Sequence, residues 1–312
     1  YLPQLRTLAS YDGKHYIVPI GYTWTGIYYN TEIFNQYNLT PPKTWDEFIA
    51  ICDTLVANGI TPLSIGDDPW LGFLWFSYIN MRLNGVQFHN QVLQGQISFN
   101  DARVQSTLEI WQSLFQRDYF VERPTNLSSL DTLTSVIRGD EGRLHNQKAV
   151  MVLVNNSDLE DLPAKFQAEL DFFPFPTIDS TMPTGEIVDT YGYMVPNKSF
   201  NIPQALAFLT YMSSAEAQTI LVQQTGGAIS FIPAHPAVDQ NSLSLQAQRG
   251  LGIIEESDAF SSRFILSMPN TLWRSIGRGY DKFVRNGGDA EGFIEILEET
   301  RQKAQAEGWF SN

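Results

Sequence analysis

The side chains best suited to chemistry in this 312-residue sequence are two adjacent acids, Asp67 and Asp68, preceded by Gly66 and followed by Pro69-Trp70. Paired carboxylates at a suitable separation hydrolyse glycosides. The same groups can instead accept bidentate hydrogen bonds from sugar hydroxyls, and Asp is also a common helix cap. The other reactive types are sparse. His15, His89, His145 and His235 share no metal-ligand spacing, and neither H-x-x-x-H nor C-x-x-C occurs, so no metal is expected. No G-x-S-x-G elbow, phosphate-binding Gly-rich loop or strand-linked G-x-G-x-x-G is present, so no cofactor is expected either. The single cysteine, Cys52, excludes an internal disulfide and reads as a small buried thiol on an apolar helix stripe. Aromatic residues are plentiful: 7 Trp, 13 Tyr and 20 Phe, 13% of the chain. Most must be core, but several stand beside Gly, Pro, Asp or Asn, where a ring suits stacking on a flat ligand face.

The elements that must position these residues follow from pattern and punctuation. A hydrophobic content of 43% against 17% charged supports a large core. The net charge of −14, with no Lys/Arg cluster, excludes nucleic acid and disfavours an anionic membrane surface. No apolar run approaches the ~20 residues that span a bilayer. His15–Gly21 and Gly26–Asn30 read as strands around a loop, YTWT. Thr44 and Glu47 form a capping box, and Phe48, Ile51, Cys52, Leu55 and Val56 continue at helical spacing up to a stop at Gly59. Asp67–Arg82 is an aromatic, Pro-led helix entrance, and 100–119 is a helix with Trp111 inward. Glu122–Asn146 is turn-rich and polar. Ala149–Val154, AVMVLV, is a strand buried on both faces. Asp171–Pro176 and Ile187–Ser199 are further strands, the latter with an internal Gly. Helices are expected over 203–211, over 215–224 with a Ser214 cap and a Gly226-Gly227 stop, and over 289–307. Helices alternating with buried strands make the class α/β.

One long stretch, YDGKHYIVPIGYTWTGIYYNTEIFNQYNLTPPKTWDEF, resembles the signature region of the extracellular solute-binding proteins of bacterial sugar ABC importers, the maltose-binding-protein-like family. Gly13, Lys14, Pro19, Tyr28, Tyr29, Asn30 and the run Pro41–Asp46 with Glu47 match its pattern in order and spacing. KAVMVLV, DFFPFP, the block from Val188 to Leu221 and FIPAHPAV resemble later family segments, so the likeness runs from Tyr11 to the last helix. Two departures stand out. The family places roughly a hundred residues ahead of this region, without which a lobe would bury little surface; the first lobe therefore looks truncated at its N-terminus. YLPQLRTLAS has no basic start and no apolar core, so any signal peptide or lipid-anchored cysteine is expected in that preceding part. The family also often carries G-x-W after its Ala-Met strand, where this chain has Asn155-Asn156-Ser157.

The resemblance implies a two-lobe periplasmic-binding-protein fold of type II. Residues 1–20 plus 190–250 would form the N-terminal lobe, and 21–189 plus 251–312 the C-terminal lobe. It implies a monomeric extracytoplasmic protein, periplasmic or lipid-anchored, that captures a mono- or oligosaccharide between its lobes and delivers it to the permease subunits of an ABC importer, without catalysis. The expected ligand contacts are Trp24 and Thr23 after the hinge, Asp67, Asp68 and Trp70, Asn155 and Asn156, Tyr191 at the second crossing, and Trp273 with Arg274 in MPNTLWRSIGRGY. Each has a rival role in packing, capping or turn formation. Three further readings remain open: a carbohydrate-active enzyme using Asp67 or Asp68, a binder of phosphorylated or acidic ligands through Arg274 and Arg278, and a receptor-coupled sensor.

Overall fold

The computed structural model describes residues 9–11, 13–137, 149–160, 162–163, 167–225, 231–263 and 270–309. Strands β1 (Ser10–Tyr11) and β2 (Lys14–His15) pair antiparallel. Strands β3 (Val18–Tyr22) and β4 (Thr25–Asn30) follow as the Val, Ile and Tyr content predicts, and every residue of β4 is buried. Asn30 closes β4 and caps α1 (Thr31–Gln36), accepting the Ile33 amide. Helix α2 (Trp45–Ala57) begins on the expected capping box: Thr44 Oγ1 accepts the Glu47 amide at 3.3 Å, and Glu47 Oε2 accepts the Thr44 amide at 3.1 Å. Phe48, Ile51, Cys52 and Leu55 face inward, whereas Val56 lies off that stripe and is exposed. After β5 (Leu63–Ser64), α3 (Pro69–Leu93) runs through a break at Gly85, where φ of 81° and ψ of 158° are outside any helix. Helix α4 (Ala102–Gln116) buries Trp111, and a short α5 (Ser129–Thr134) follows in the stretch predicted to be turn-rich. The 138–148 part of that stretch lies outside the described residues.

Strand β6 (Met151–Asn155) is wholly buried, as the apolar run predicts, and β7 (Leu170–Phe173) matches the DFF reading. The single strand expected over Ile187–Ser199 is instead two, β8 (Gly185–Ile187) and β9 (Thr190–Tyr193). The chain changes partner between them: the Val188 amide donates to Ser261, while the Asp189 carbonyl accepts from Thr23. Helices α6 (Ile202–Met212) and α7 (Ala215–Gln224) stand where predicted, with Pro203 in a first turn and Ser214 accepting the Ala217 amide. The predicted stop at Gly226-Gly227 lies outside the described residues. Strand β10 (Ile232–Pro233), helix α8 (Leu245–Glu255), strand β11 (Ala259–Ser261) and helix α9 (Asn270–Arg285) lead to the expected tail helix α10 (Ala290–Ala306).

The chain divides into two compact units. Unit 1 comprises Tyr1–Thr25, Asn155–Asp161 and Glu186–Ser262; unit 2 comprises Gly26–Val154, Leu162–Gly185 and Arg263–Asn312. These limits differ from the expected ones at each crossing. Thr23–Thr25 stays with unit 1 because residues 155–156 hold it there, and β11 pairs with β8, which keeps the chain in unit 1 beyond residue 250.

Unit 1 holds a three-stranded sheet in the order β10-β3-β9, antiparallel throughout, with Tyr22 opposite Ile232 on one side and Thr190 on the other. Unit 2 holds a four-stranded sheet, β5-β6-β4-β7, in which β5 and β6 run parallel and β7 antiparallel to β4. Its core is aromatic. Trp75 meets Phe120 and Phe175 edge-on at 5.5 and 5.8 Å, and Trp111 packs on Phe283 at 4.4 Å. The core of unit 1 is thinner. Helix α6 buries only Leu209, and its Ile202, Leu206, Phe208 and Tyr211 are 39%, 52%, 52% and 46% exposed. That much apolar surface on one helix is unusual for a free protein face. The 312-residue chain should therefore enhance the fluorescence of an anilinonaphthalene sulfonate dye while its far-ultraviolet dichroism remains native, and Leu206→Glu should reduce the signal. An unchanged signal in that variant would place the dye elsewhere.

His89, on α3, is fully buried, with Nδ1 3.1 Å from the Asn80 side-chain nitrogen. Burial disfavours its charged form and lowers its pKa to about 3. The unfolded chain would therefore bind a proton near pH 6.5 that the folded chain refuses. Stability from this group is complete above pH 6.5 and is lost as pH falls from there towards 3, with a slope of up to about 1.4 kcal/mol per pH unit. Denaturant titrations of His89→Gln between pH 7 and 4.5 should show a shallower fall than the parent; parallel profiles would contradict this role.

Candidate functional site

In unit 1 the segment Thr23–Trp24–Thr25 leaves β3 towards β4. Two consecutive asparagines at the end of β6 fix its course. Trp24 N donates to Asn156 Oδ1 at 2.9 Å, and Asn156 N donates to the Trp24 carbonyl at 2.9 Å. The Asn156 side chain thus completes a two-bond ring with one residue, as a neighbouring strand would. Asn155 Nδ2 donates to Thr23 Oγ1 at 2.8 Å and Thr25 Oγ1 at 3.2 Å, while its Oδ1 accepts the Ser157 amide and hydroxyl. All four buried polar side chains are hydrogen-bonded within the unit, as burial requires. The Trp24 indole is 1% exposed and lies over Gly250 of α8, where a Cβ would fall 2.4 Å from the ring.

The pairing continues past β3 through the Thr23 amide, which donates to Asp189 at 2.9 Å. Tyr191 is paired with Gly21, so Gly21, Thr23 and Tyr191 share one face of the sheet and Tyr22 takes the other. Tyr191 is 45% exposed. Tyr193, two residues on, packs its ring edge-on against Phe208 at 5.5 Å.

In unit 2 the acids separate by role. Asp68 caps α3: its Oδ1 accepts the Trp70 amide at 2.8 Å and its Oδ2 accepts the Ser129 hydroxyl at 2.5 Å. Asp67 is exposed, and its carboxyl pKa is raised by partial burial and then by the charge of Asp68, with smaller contributions from Asp281 and Asp131. Trp70 is half-buried, and the buried Arg263 guanidinium lies 4.9 Å from its ring centroid. This cation–π contact fixes one face of the indole. Trp273, on α9, is also half-buried and touches Phe73, one turn along α3 from Trp70, at 6.2 Å. Arg274 is exposed. Tyr280 of the same helix donates to the Gly66 carbonyl at 2.9 Å, tying α9 to the loop that carries Asp67.

The expected contact residues therefore fall into two sets. Thr23, Trp24, Asn155 and Asn156, expected as ligand contacts, come together in unit 1 but are buried there: the side chains of Thr23, Asn155 and Asn156 hydrogen-bond within the cluster and the Trp24 indole packs over Gly250, an arrangement suited to bracing the Thr23–Thr25 segment. Asp68 is likewise a cap. Tyr191 in unit 1, and Asp67, Trp70, Trp273 and Arg274 in unit 2, retain exposed or half-buried side chains. Arg263 was missed in the sequence because no motif surrounds it; the only available signal was a cation in a chain with 20 Lys and Arg in all.

The model of the bacterial extracellular solute-binding protein family matches residues 1–219. The chain belongs to this family. An uncharacterized ABC transporter extracellular-binding protein of Pyrococcus horikoshii is 25% identical over 226 residues, covering 70% of this chain and 47% of its own. A probable sugar-binding periplasmic protein of Mesorhizobium japonicum is 22% identical over 285 residues, covering 88% of this chain and 61% of that one. The chain thus spans about half to three-fifths of the length of these solute-binding relatives. Among solved structures, the bacterial solute receptor AcbH, described as exclusively preferring β-D-galactopyranose, superposes with a TM-score of 0.81 at 19% identity, over 98% of this chain and 75% of that one. The mixed α/β elements described above are those of a two-lobe solute-binding protein.

In this family member Trp24→Ala would leave a cavity against Gly250. Truncations of this kind cost about 3–5 kcal/mol. Chemical denaturation should show a loss of that size; a change under about 1 kcal/mol would return Trp24 to the list of ligand contacts.

Proposed function

We propose that the chain captures a saccharide and presents it to the membrane permease of an ABC importer, binding its ligand without turning it over. The observation that carries this reading is Trp70, a half-buried indole held on one side by Arg263, in the same helix entrance as the exposed Asp67. A sugar has an apolar ring face and a rim of hydroxyls, and an anchored indole and an exposed carboxylate on one helix entrance suit these two needs. Trp273 and Arg274 add a second ring and a donor in unit 2, and Tyr191 supplies an exposed ring in unit 1. Family membership and the sugar-binding relative support the same class of ligand.

The rival reading of the acids as a hydrolytic pair is weakened by Asp68, both of whose oxygens are engaged by the helix N-terminus and Ser129. We place the protein outside the cytoplasmic membrane, periplasmic or lipid-anchored, and as a monomer, in keeping with the family; among the described residues no helix is long and apolar enough to cross a membrane. Calorimetric titration with a panel of mono- and oligosaccharides should find saturable binding with no product by chromatography. Trp70→Ala and Tyr191→Ala should each weaken it by about 1–3 kcal/mol, tenfold or more, with the fold retained. Hydrolysis of any sugar in the panel, or full affinity in both variants, would overturn this assignment.

A further inference from the structure

Unit 1 contains a cavity of about 210 Å³ on the sheet face opposite Thr23 and Tyr191. Its floor is the β3–β10 pair at Tyr22 and Ile232, its sides are Leu243 and Leu251, and His235 and Glu255 complete it. Tyr22 is 4% exposed and lines this space. Burial, and after it the charge of Glu255, pushes the Tyr22 pKa well up, so the hydroxyl keeps its proton. His235 Nδ1 accepts the Ala237 amide at 3.1 Å. Among the described residues no Lys or Arg lines the cavity, and Glu255 is the one carboxylate that does.

We propose that this cavity is a second small-molecule site, separate from the saccharide contacts, and that it takes a compact organic ammonium. The apolar walls accept the carbon body, Glu255 at the rim pairs with the cationic nitrogen, and the Tyr22 hydroxyl serves as acceptor for an N–H. The site is built on the strand that leads into the joining segment: Tyr22 immediately precedes Thr23, and Trp24, on the same face of the strand, packs on the helix that carries Leu251 and Glu255. Occupancy would therefore stiffen the root of the Thr23–Thr25 segment.

The probes are n-butylammonium and its neutral counterpart n-butanol, titrated into the full chain by calorimetry or ligand-observed magnetization transfer, with no saccharide present. Butylammonium should bind saturably, butanol about tenfold more weakly or worse, and Glu255→Gln should bring the two to similar affinity; Tyr22→Phe should weaken butylammonium with less effect on butanol. Glu255 is exposed, so its Gln variant should melt with the parent. Absence of saturable butylammonium binding, equal binding of the alcohol, or undiminished binding in Glu255→Gln would each overturn the proposal. None of these readouts depends on whether the chain binds sugar.

Discussion

The two-bond ring between Asn156 and the backbone of Trp24 is the constraint from which most of the architecture follows. Strand β3 lies in one unit and β4 passes into the other after Thr25, so Thr23 and Trp24 between the two strands cannot take all their backbone partners from either sheet. Buried amides left in that position would be costly. The side chain of Asn156 supplies the missing strand edge, and Asn155 gathers the hydroxyls of Thr23 and Thr25. The same two asparagines end β6, the buried strand at the centre of unit 2's sheet. Two passages of the chain out of unit 2 are thereby fastened to each other by hydrogen bonds that need no contribution from solvent.

Much of the local structure was legible from the sequence because its signals are short-range. The Thr44/Glu47 box, the Asp68-Pro69 helix entrance and the double-sided apolar run AVMVLV each depend on residues within a turn or two of one another. The split of the expected Ile187–Ser199 strand was not legible: it depends on the Val188 amide meeting Ser261 and the Asp189 carbonyl meeting Thr23, partners far away in sequence. The candidate site shows the same division. Asp67 and Trp70 were visible as an acid and a ring beside a helix start. Arg263, which fixes the ring, was invisible because its contact with Trp70 joins residues 193 positions apart. Asn155 and Asn156 were correctly seen as residues with both donor and acceptor capacity at a strand end; the sequence could not say that the backbone would use that capacity first.

The two units differ in how they are held together. Unit 2 packs interlocking rings around Trp75 and Trp111, so its surfaces near Asp67 and Trp70 rest on a stiff base. Unit 1 has a short three-stranded sheet and a helix, α6, that hides a single leucine. An acidic chain with a net charge of −14 resists association through charge repulsion, which offsets the tendency of such an apolar helix face to aggregate.

The seat of the Trp24 indole on Gly250 has a consequence for the history of this chain. A methyl group at 250 would need the space the ring occupies, and loss of the ring would leave a void that only a larger residue at 250 could fill. Lineages descended from a common ancestor should thus explore these two positions as a correlated pair, large with small or small with large. The pair would act as a hidden partner rule between the joining segment and helix α8, and would restrict which joining segments can be exchanged between relatives.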